Sequence, residues 1–232
     1  MSANYDDLRA FIDQVEALGA LRHIRGADPH LEIGAITEVA AGRPEGPALL
    51  FDEIPGFRKG FRIFTNATVQ ARRAALALGI DPALSPLEAL KEWKARRSKL
   101  TPIDPVVVGD ALYMQNSQRG ADVDLSIFPT PHWHKKDGGP YIGSGSLVIM
   151  RDPDTGWINA SIYRVQVHGP RRVTIQFDHT GRHGNMIARK YWDRRQSCPV
   201  AVVNGEDPAL RLSWMWKPCI IAMIPFCLVL RR

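Results

Sequence analysis

Three stretches in the middle of the chain carry side chains suited to chemistry. In the first, His132 and His134 lie two residues apart, with Asp137 three further on. Two imidazoles and a carboxylate at this spacing make either a metal site or a polar loop. In the second, the turn Asp152-Pro153-Asp154-Thr155-Gly156 runs into Trp157-Ile158-Asn159-Ala160-Ser161-Ile162-Tyr163-Arg164. Read as a strand, this places Asn159, Ser161, Tyr163 and Val165 on one face and Ile162 and Arg164 on the other. Polar groups in such a row suit the wall of a pocket better than a plain core. The third, Gly181-Arg182-His183-Gly184-Asn185, opens a helical pattern, where backbone N–H groups and the Arg182 charge suit a phosphate.

The elements that must position these residues are legible from apolar spacing. Leu8, Phe11, Ile12, Val15 and Leu18 recur at helical intervals over Asp6–Leu18, and Gly19 can end the helix. A second helix is expected over Leu31–Ala41, opened by Pro29. Strands are expected at Ala48–Phe51 and Phe61–Thr65, with Ile54-Pro55-Gly56 turning between them. Val69–Leu78 reads as helix. Ser85-Pro86-Leu87-Glu88 is a capping box with proline at the first helical position, starting a helix that runs to about Ser98. Beyond the linker-like Pro102-Ile103-Asp104-Pro105 the pattern changes to strands: Pro105–Val108, Val123–Ile127, Ser146–Arg151, Trp157–Val167, Arg172–Asp178 and Pro199–Val203. A helix, His183–Asp193, interrupts them.

Composition sets the broad class. The 232 residues are 45% hydrophobic and 23% charged, which excludes wholesale disorder, a collagen-like chain and a polytopic membrane protein. Three cysteines, Cys198, Cys219 and Cys227, are odd in number and clustered late, against a secreted disulfide framework. The first residues show no basic flank followed by an apolar run, so a cytoplasmic protein is expected. The net charge of +6 is spread along the chain, densest at Lys91–Lys99 and Arg189–Arg195. It comes with no zinc-finger spacing or RNA-binding aromatic signature, so nucleic-acid or lipid binding is the lesser alternative.

Taken together, the motifs resemble the UbiD family of reversible decarboxylases, which use prenylated flavin mononucleotide (prenylated FMN). The resemblance begins with Asp7-Leu8-Arg9 before Phe11-Ile12, and with Asp28-Pro29 before Leu31-Glu32-Ile33. It continues through Gly46-Pro47-Ala48-Leu49-Leu50-Phe51 and Asp122-Val123-Asp124-Leu125 with Phe128-Pro129. It is strongest in His134 with Asp137-Gly138-Gly139 and Tyr141-Ile142, in Arg151–Gly156, and in Asn159 with Ile162-Tyr163-Arg164. It ends at Gly205-Glu206-Asp207-Pro208-Ala209. The implied fold is α+β: an N-terminal α/β domain over 1–105, then a partial split β-barrel that binds flavin over 106–209.

The resemblance also implies roles. Asn159 and His183 match the family's asparagine and histidine ligands to a divalent metal, usually Mn2+, that bridges protein and flavin phosphate; His179 competes with His183 for that position. K+ is a further cation the family uses. Ser161, Ile162, Tyr163 and Arg164 match positions that cradle the flavin, and Arg182, His183 and Gly184 lie at its phosphate. Arg164 matches the arginine at the reacting centre, where a guanidinium can hold a substrate carboxylate. The substrate class is a small aromatic or α,β-unsaturated carboxylic acid, decarboxylated through a covalent adduct with prenylated FMN. The cofactor does the hard chemistry and the protein orients it.

The last stretch departs from the family pattern. Residues 210–232 are rich in Trp, Met and Cys, Cys219–Leu230 is wholly apolar, and no Asp or Glu follows Asp207. The family's third metal ligand, a glutamate, and its proton-donating acid come from later sequence. The expectation is a frameshifted or truncated decarboxylase, inactive alone, or a subunit completed by another chain or within a homo-oligomer. The alternative is a non-catalytic fragment that binds flavin phosphate. Twelve apolar residues broken by Pro225 are too few to span a bilayer, so no membrane insertion is expected.

Overall fold

The computed structural model describes residues 5–101, 106, 109, 112–177, 180–214 and 228–230. The expected linker at 102–105, most of the expected strand at 105–108, His179, Cys219 and Cys227 lie outside the described residues. The chain is α+β and divides into two compact units. One comprises 1–102, 127–140 and 207–212, the other 103–126, 141–206 and 213–232.

In the first unit, α1 (Leu8–Ala17) starts where Asp7 accepts a hydrogen bond from the amide of Ala10, 2.9 Å away. It buries Phe11, Ile12 and Val15, the stripe its spacing predicts. Next come β1 (Leu21–Arg25), α2 (Glu32–Ala41), β2 (Ala48–Asp52) and β3 (Ile63–Thr65). The three strands form one sheet in chain order, β1 parallel and β3 antiparallel to β2. The central strand is buried on both faces, which is why Ala48–Phe51 is an unbroken apolar run. Ala48 and Leu50 pack with Phe11 and Val15, while Leu49 and Phe51 pack with Ile33 and Ile54.

Helices α3 (Ala71–Ala77) and α4 (Pro86–Arg97) follow. The capping box of α4 is fully formed: Ser85 accepts from the amide of Glu88, and the Glu88 carboxylate accepts from the amide and hydroxyl of Ser85. Arg73 on α3 is buried, donating to the carbonyls of Gly46, Asn66 and Ala67 at 2.9–3.3 Å. Burial draws its proton affinity down from the ordinary guanidinium value.

The second unit is built on a five-stranded antiparallel sheet that curls into half a barrel. Its strands are β4 (Tyr141–Arg151), β5 (Ile158–Val167), β6 (Val173–Ile175), β7 (Val200–Val203) and β8 (Leu228–Leu230), in the order β6-β5-β4-β7-β8. Helix α5 (His183–Asp193) covers one face through Ile187 and Ala188, which pack on Val148, Met150, Tyr163, Val165 and Val202. The short α6 (Pro208–Trp214), most of which belongs to the first unit, opens at Asp207, whose carboxylate accepts from the amides of Ala209 and Leu210.

One expected strand is not formed. Val123 and Asp124 have no regular structure, Leu125–Ile127 forms a short 3-10 turn, and another, Gly120–Asp122, precedes them. The carboxylate of Asp124 takes hydrogen bonds from the Ser126 amide and hydroxyl, and a side chain that bonds its own backbone competes with a strand ladder. The sequence reading named neither β1 nor α6.

Candidate functional site

Strand β5 and the start of α5 position most of the candidate residues. The hairpin joining β4 to β5 is closed by Asp152, whose carboxylate accepts from the amides of Asp154 and Thr155 at 2.8 and 3.2 Å. From that turn β5 runs antiparallel to β4, pairing Asn159 with Met150, Ser161 with Val148, Ile162 with Leu147 and Tyr163 with Ser146. The two-residue period then sorts the side chains. Tyr163 and Val165 join the core beneath α5, and Asn159 and Ser161 share that parity.

Asn159 is only 4% exposed, and its side-chain Nδ2 has no hydrogen-bond partner among the described residues. A buried amide without a partner costs of order 1–3 kcal/mol. Amide oxygen and nitrogen are assigned from partners, so the same group can equally present Oδ1 to a cation.

The N-terminus of α5 is tied to β5 at two points. The ring of His183, the first helical residue, lies edge-on to Trp157 with centroids 5.1 Å apart. The amide of Gly184 donates to the hydroxyl of Tyr163 at 3.2 Å. A Cβ at Gly184 would meet Phe177 at 2.6 Å and the Tyr163 hydroxyl at 2.9 Å, so only glycine permits this approach. Trp157 and Tyr163 thus bracket Asn159 and Ser161 along the strand. Arg182 occupies the N-cap position and has no side-chain acceptor with which to cap the helix. Tyr163 already uses one of the amides on which a phosphate at this helix start would draw.

Arg164 and Ile162 lie on the other face of β5. Arg164 is exposed and lines a cavity of about 380 Å³ with Tyr141, Gln166, Thr174 and Gln176. All five lining residues carry a hydrogen-bonding group, and Arg164 supplies the only positive charge among them. A guanidinium in such a setting recognises a carboxylate. The sequence reading missed Gln166, Thr174 and Gln176. Gln166 shares the parity of Arg164, Thr174 is its register partner on β6, and the amide of Gln176 donates to the carbonyl of Arg164 at 3.1 Å.

The first histidine stretch does not make a metal centre. His132 turns toward His30, ring centroids 5.0 Å apart, and bonds the backbone oxygen of Asp137. His134 faces the Asp137 and Glu38 carboxylates at 3.4 and 3.7 Å. Among the described residues no group of three or more His, Cys, Asp or Glu side chains is arranged to hold a metal ion. For the metal implied by the family, the groups that would serve as donors are the amide of Asn159, whose Nδ2 has no partner among the described residues, and the imidazole of His183.

Among the described residues no helix is long and apolar enough to cross a membrane. Cys198 is half-buried, and burial pushes its thiol up to about 11.

Comparison with known proteins agrees with this architecture. Residues 12–94 match the 3-octaprenyl-4-hydroxybenzoate carboxy-lyase N-terminal domain, and residues 106–218 match the Rift-related domain of the same carboxy-lyase family. A phenolic acid decarboxylase of Streptomyces sp. (strain D7) is 34% identical over 217 residues, 90% of this chain and 44% of the relative. The closed form of the vanillic acid decarboxylase ShVdcCD of Sedimentibacter hydroxybenzoicus superimposes with a TM-score of 0.81 at 28% identity, over 90% of this chain and 45% of that one. An evolved dimeric form of the UbiD-class enzyme HmfF of Pelotomaculum thermopropionicum, in complex with prenylated FMN, gives 0.79 at 27% identity, over 94% and 49%. The chain thus spans less than half the length of these relatives. Its two matched segments and their order along the chain place it in the UbiD family.

Proposed function

We propose that this chain is the cofactor-binding part of a UbiD-class decarboxylase acting on a small aromatic or α,β-unsaturated carboxylic acid. The observation that carries the reading is the buried, unpartnered amide of Asn159 on the strand that also bears Arg164. Buried polar groups without a partner are rare, and a bound ion is one of the things that completes them.

In this reading Asn159 Oδ1 and the His183 imidazole hold Mn2+, with K+ as a further cation. Ser161, Ile162, Tyr163, Arg182 and Gly184 line the flavin and its phosphate. Prenylated FMN, when bound, supplies the electron sink that carboxyl loss requires. Arg164 pairs with the substrate carboxylate and fixes its carboxyl carbon. The bond to that carbon breaks, carbon dioxide leaves and a proton takes its place. The third metal ligand and the proton-donating acid come from polypeptide outside these 232 residues. The domain division belongs to the same proposal: 1–105 is scaffold and 106–209 carries the flavin face.

Native mass spectrometry of the chain, co-expressed with a source of prenylated FMN and supplied with Mn2+, tests this. Retained flavin and metal support the half-site. Folded protein carrying neither, even at excess, overturns it in favour of a non-binding remnant. Carbon dioxide release from 4-hydroxybenzoate or cinnamate by these 232 residues alone would overturn the requirement for further polypeptide.

A further inference from the structure

The hairpin turn before β5 is gripped by the far end of α5. Lys190 Nζ donates to the Asp152 carboxylate at 2.6 Å and to Asp154 at 3.1 Å. Arg194, one helical turn on, donates to Asp154, and the Tyr191 hydroxyl donates to the carbonyl of Arg151 at 3.1 Å. Asp152 is 8% exposed, so its bond to Lys190 is shielded on one side. Arg151 pairs with Ile158 in the first rung of the β4–β5 ladder, and Asn159 stands in the second rung, opposite Met150. The grip therefore acts one rung from Asn159. His183 lies seven residues before Lys190 on the same helix, a rigid span of about 10 Å.

We infer that Lys190, clasped by Asp152 and Asp154, is a positioning residue that sets His183 against Asn159. Its role in metal uptake rests on the half-site proposed above. Trp157 with His183 and Tyr163 with Gly184 hold the helix start, and Ile187 and Ala188 hold its middle on the sheet. The clamp adds a tie at the C-terminal end, to the turn one rung from Asn159. Strand and helix then move as one body, and the two donors keep a fixed separation. Lys190 touches neither donor, so it acts through the backbone of the turn and helix.

The test uses the full chain and two readouts. The first is the imidazole C–H resonances of His183, assigned with His183→Gln, which the neighbouring Trp157 ring displaces from their ordinary position. Lys190→Met is expected to lose that displacement and Lys190→Arg to keep it. The second is Mn2+ affinity in the presence of FMN, expected to fall about tenfold in Lys190→Met, the scale of effect seen when an outer-shell partner of a metal ligand is removed. A lower melting temperature in Lys190→Met with unchanged resonances and unchanged Mn2+ affinity overturns the inference, because the clamp is then structural only. Wild-type protein that takes up no Mn2+, or a His183→Gln variant that binds it unchanged, overturns the half-site instead; the resonances still decide whether Lys190 positions His183. Should Lys190→Met not fold, Asp154→Asn, which removes only the exposed arm of the clamp, gives the same two readouts.

Discussion

Asn159 and Arg164, five residues apart on one strand, point to opposite faces of the half-barrel sheet. Asn159 has the parity of the core beneath α5, and Arg164 lines the polar cavity with Gln166 and Thr174. The two groups proposed to bind metal and substrate are thus separated by the thickness of a sheet while sharing one backbone. This arrangement makes their substitution effects separable.

Replacing Asn159 tests its unpartnered amide. In the metal-free chain, Asn159→Leu removes an unsatisfied buried group and is expected to be neutral or stabilising by about 1 kcal/mol. The same variant is expected to lose Mn2+ uptake. Denaturant unfolding and metal titration on one preparation check both.

Arg164 is exposed, so Arg164→Ala is expected to leave the melting temperature unchanged. Binding of 4-hydroxybenzoate is expected to weaken by about 1.5–3 kcal/mol, the usual worth of a hydrogen bond to a charged group, as measured by titration calorimetry. Arg164→Lys is expected to recover only part of it, because an ammonium lacks the planar fork that meets a carboxylate.

Acid should loosen the hairpin clamp in a defined window. The hydrogen bond from Lys190, with that from the Asp154 amide, holds the Asp152 carboxyl down to about 2 from an ordinary 3.8. A carboxyl depressed on folding contributes stability that is fully present above its unfolded value and is lost as pH falls through its folded one. The loss is therefore expected between about pH 4 and pH 2. Asp152→Asn should flatten that part of the stability–pH curve, measured by urea unfolding at stepped pH.

At the helix start, Gly184→Ala is expected to destabilise by about 1–3 kcal/mol, since the added methyl collides with Phe177 and Tyr163. Tyr163→Phe loses only the hydrogen bond to the Gly184 amide and is expected to cost about 1 kcal/mol. Chemical denaturation of the two variants separates crowding from bonding.

In the first unit, Arg73→Leu strands the carbonyls of Gly46, Asn66 and Ala67 inside the fold. The expected loss is about 3 kcal/mol or more. A urea midpoint shifted by less than half that would show that water reaches those carbonyls.

Features set by neighbouring residues were legible in the sequence. The α4 capping box, the turn at Asp152–Gly156 and the two-faced strand that follows all depend on contacts within a few positions. Strand β1 was not legible, because Leu21-Arg22-His23-Ile24-Arg25 has no strict alternation and gains its strand character from pairing with β2. Val123–Ile127 misled because its apolar alternation is that of a strand, while Asp124 and Ser126 bond locally. The metal half-site was named through family resemblance. The missing partner of Asn159, and the grip of Lys190 on a turn 38 residues earlier, exist only once the chain is folded. The polar companions of Arg164 emerge in the same way, from a register between β5 and β6 that no single segment encodes.

Because β5 keeps unlike neighbours on its two sides, its odd and even positions are under different selective pressures. Residues with the parity of Asn159 answer to α5 and the helix start, and changes there disturb packing. Residues with the parity of Arg164 border a cavity, so Gln166 can be exchanged with little effect on the helix-covered core. Under the proposed function, a lineage could retune which acid is accepted by alternate substitutions along one strand while inheriting the opposite side intact.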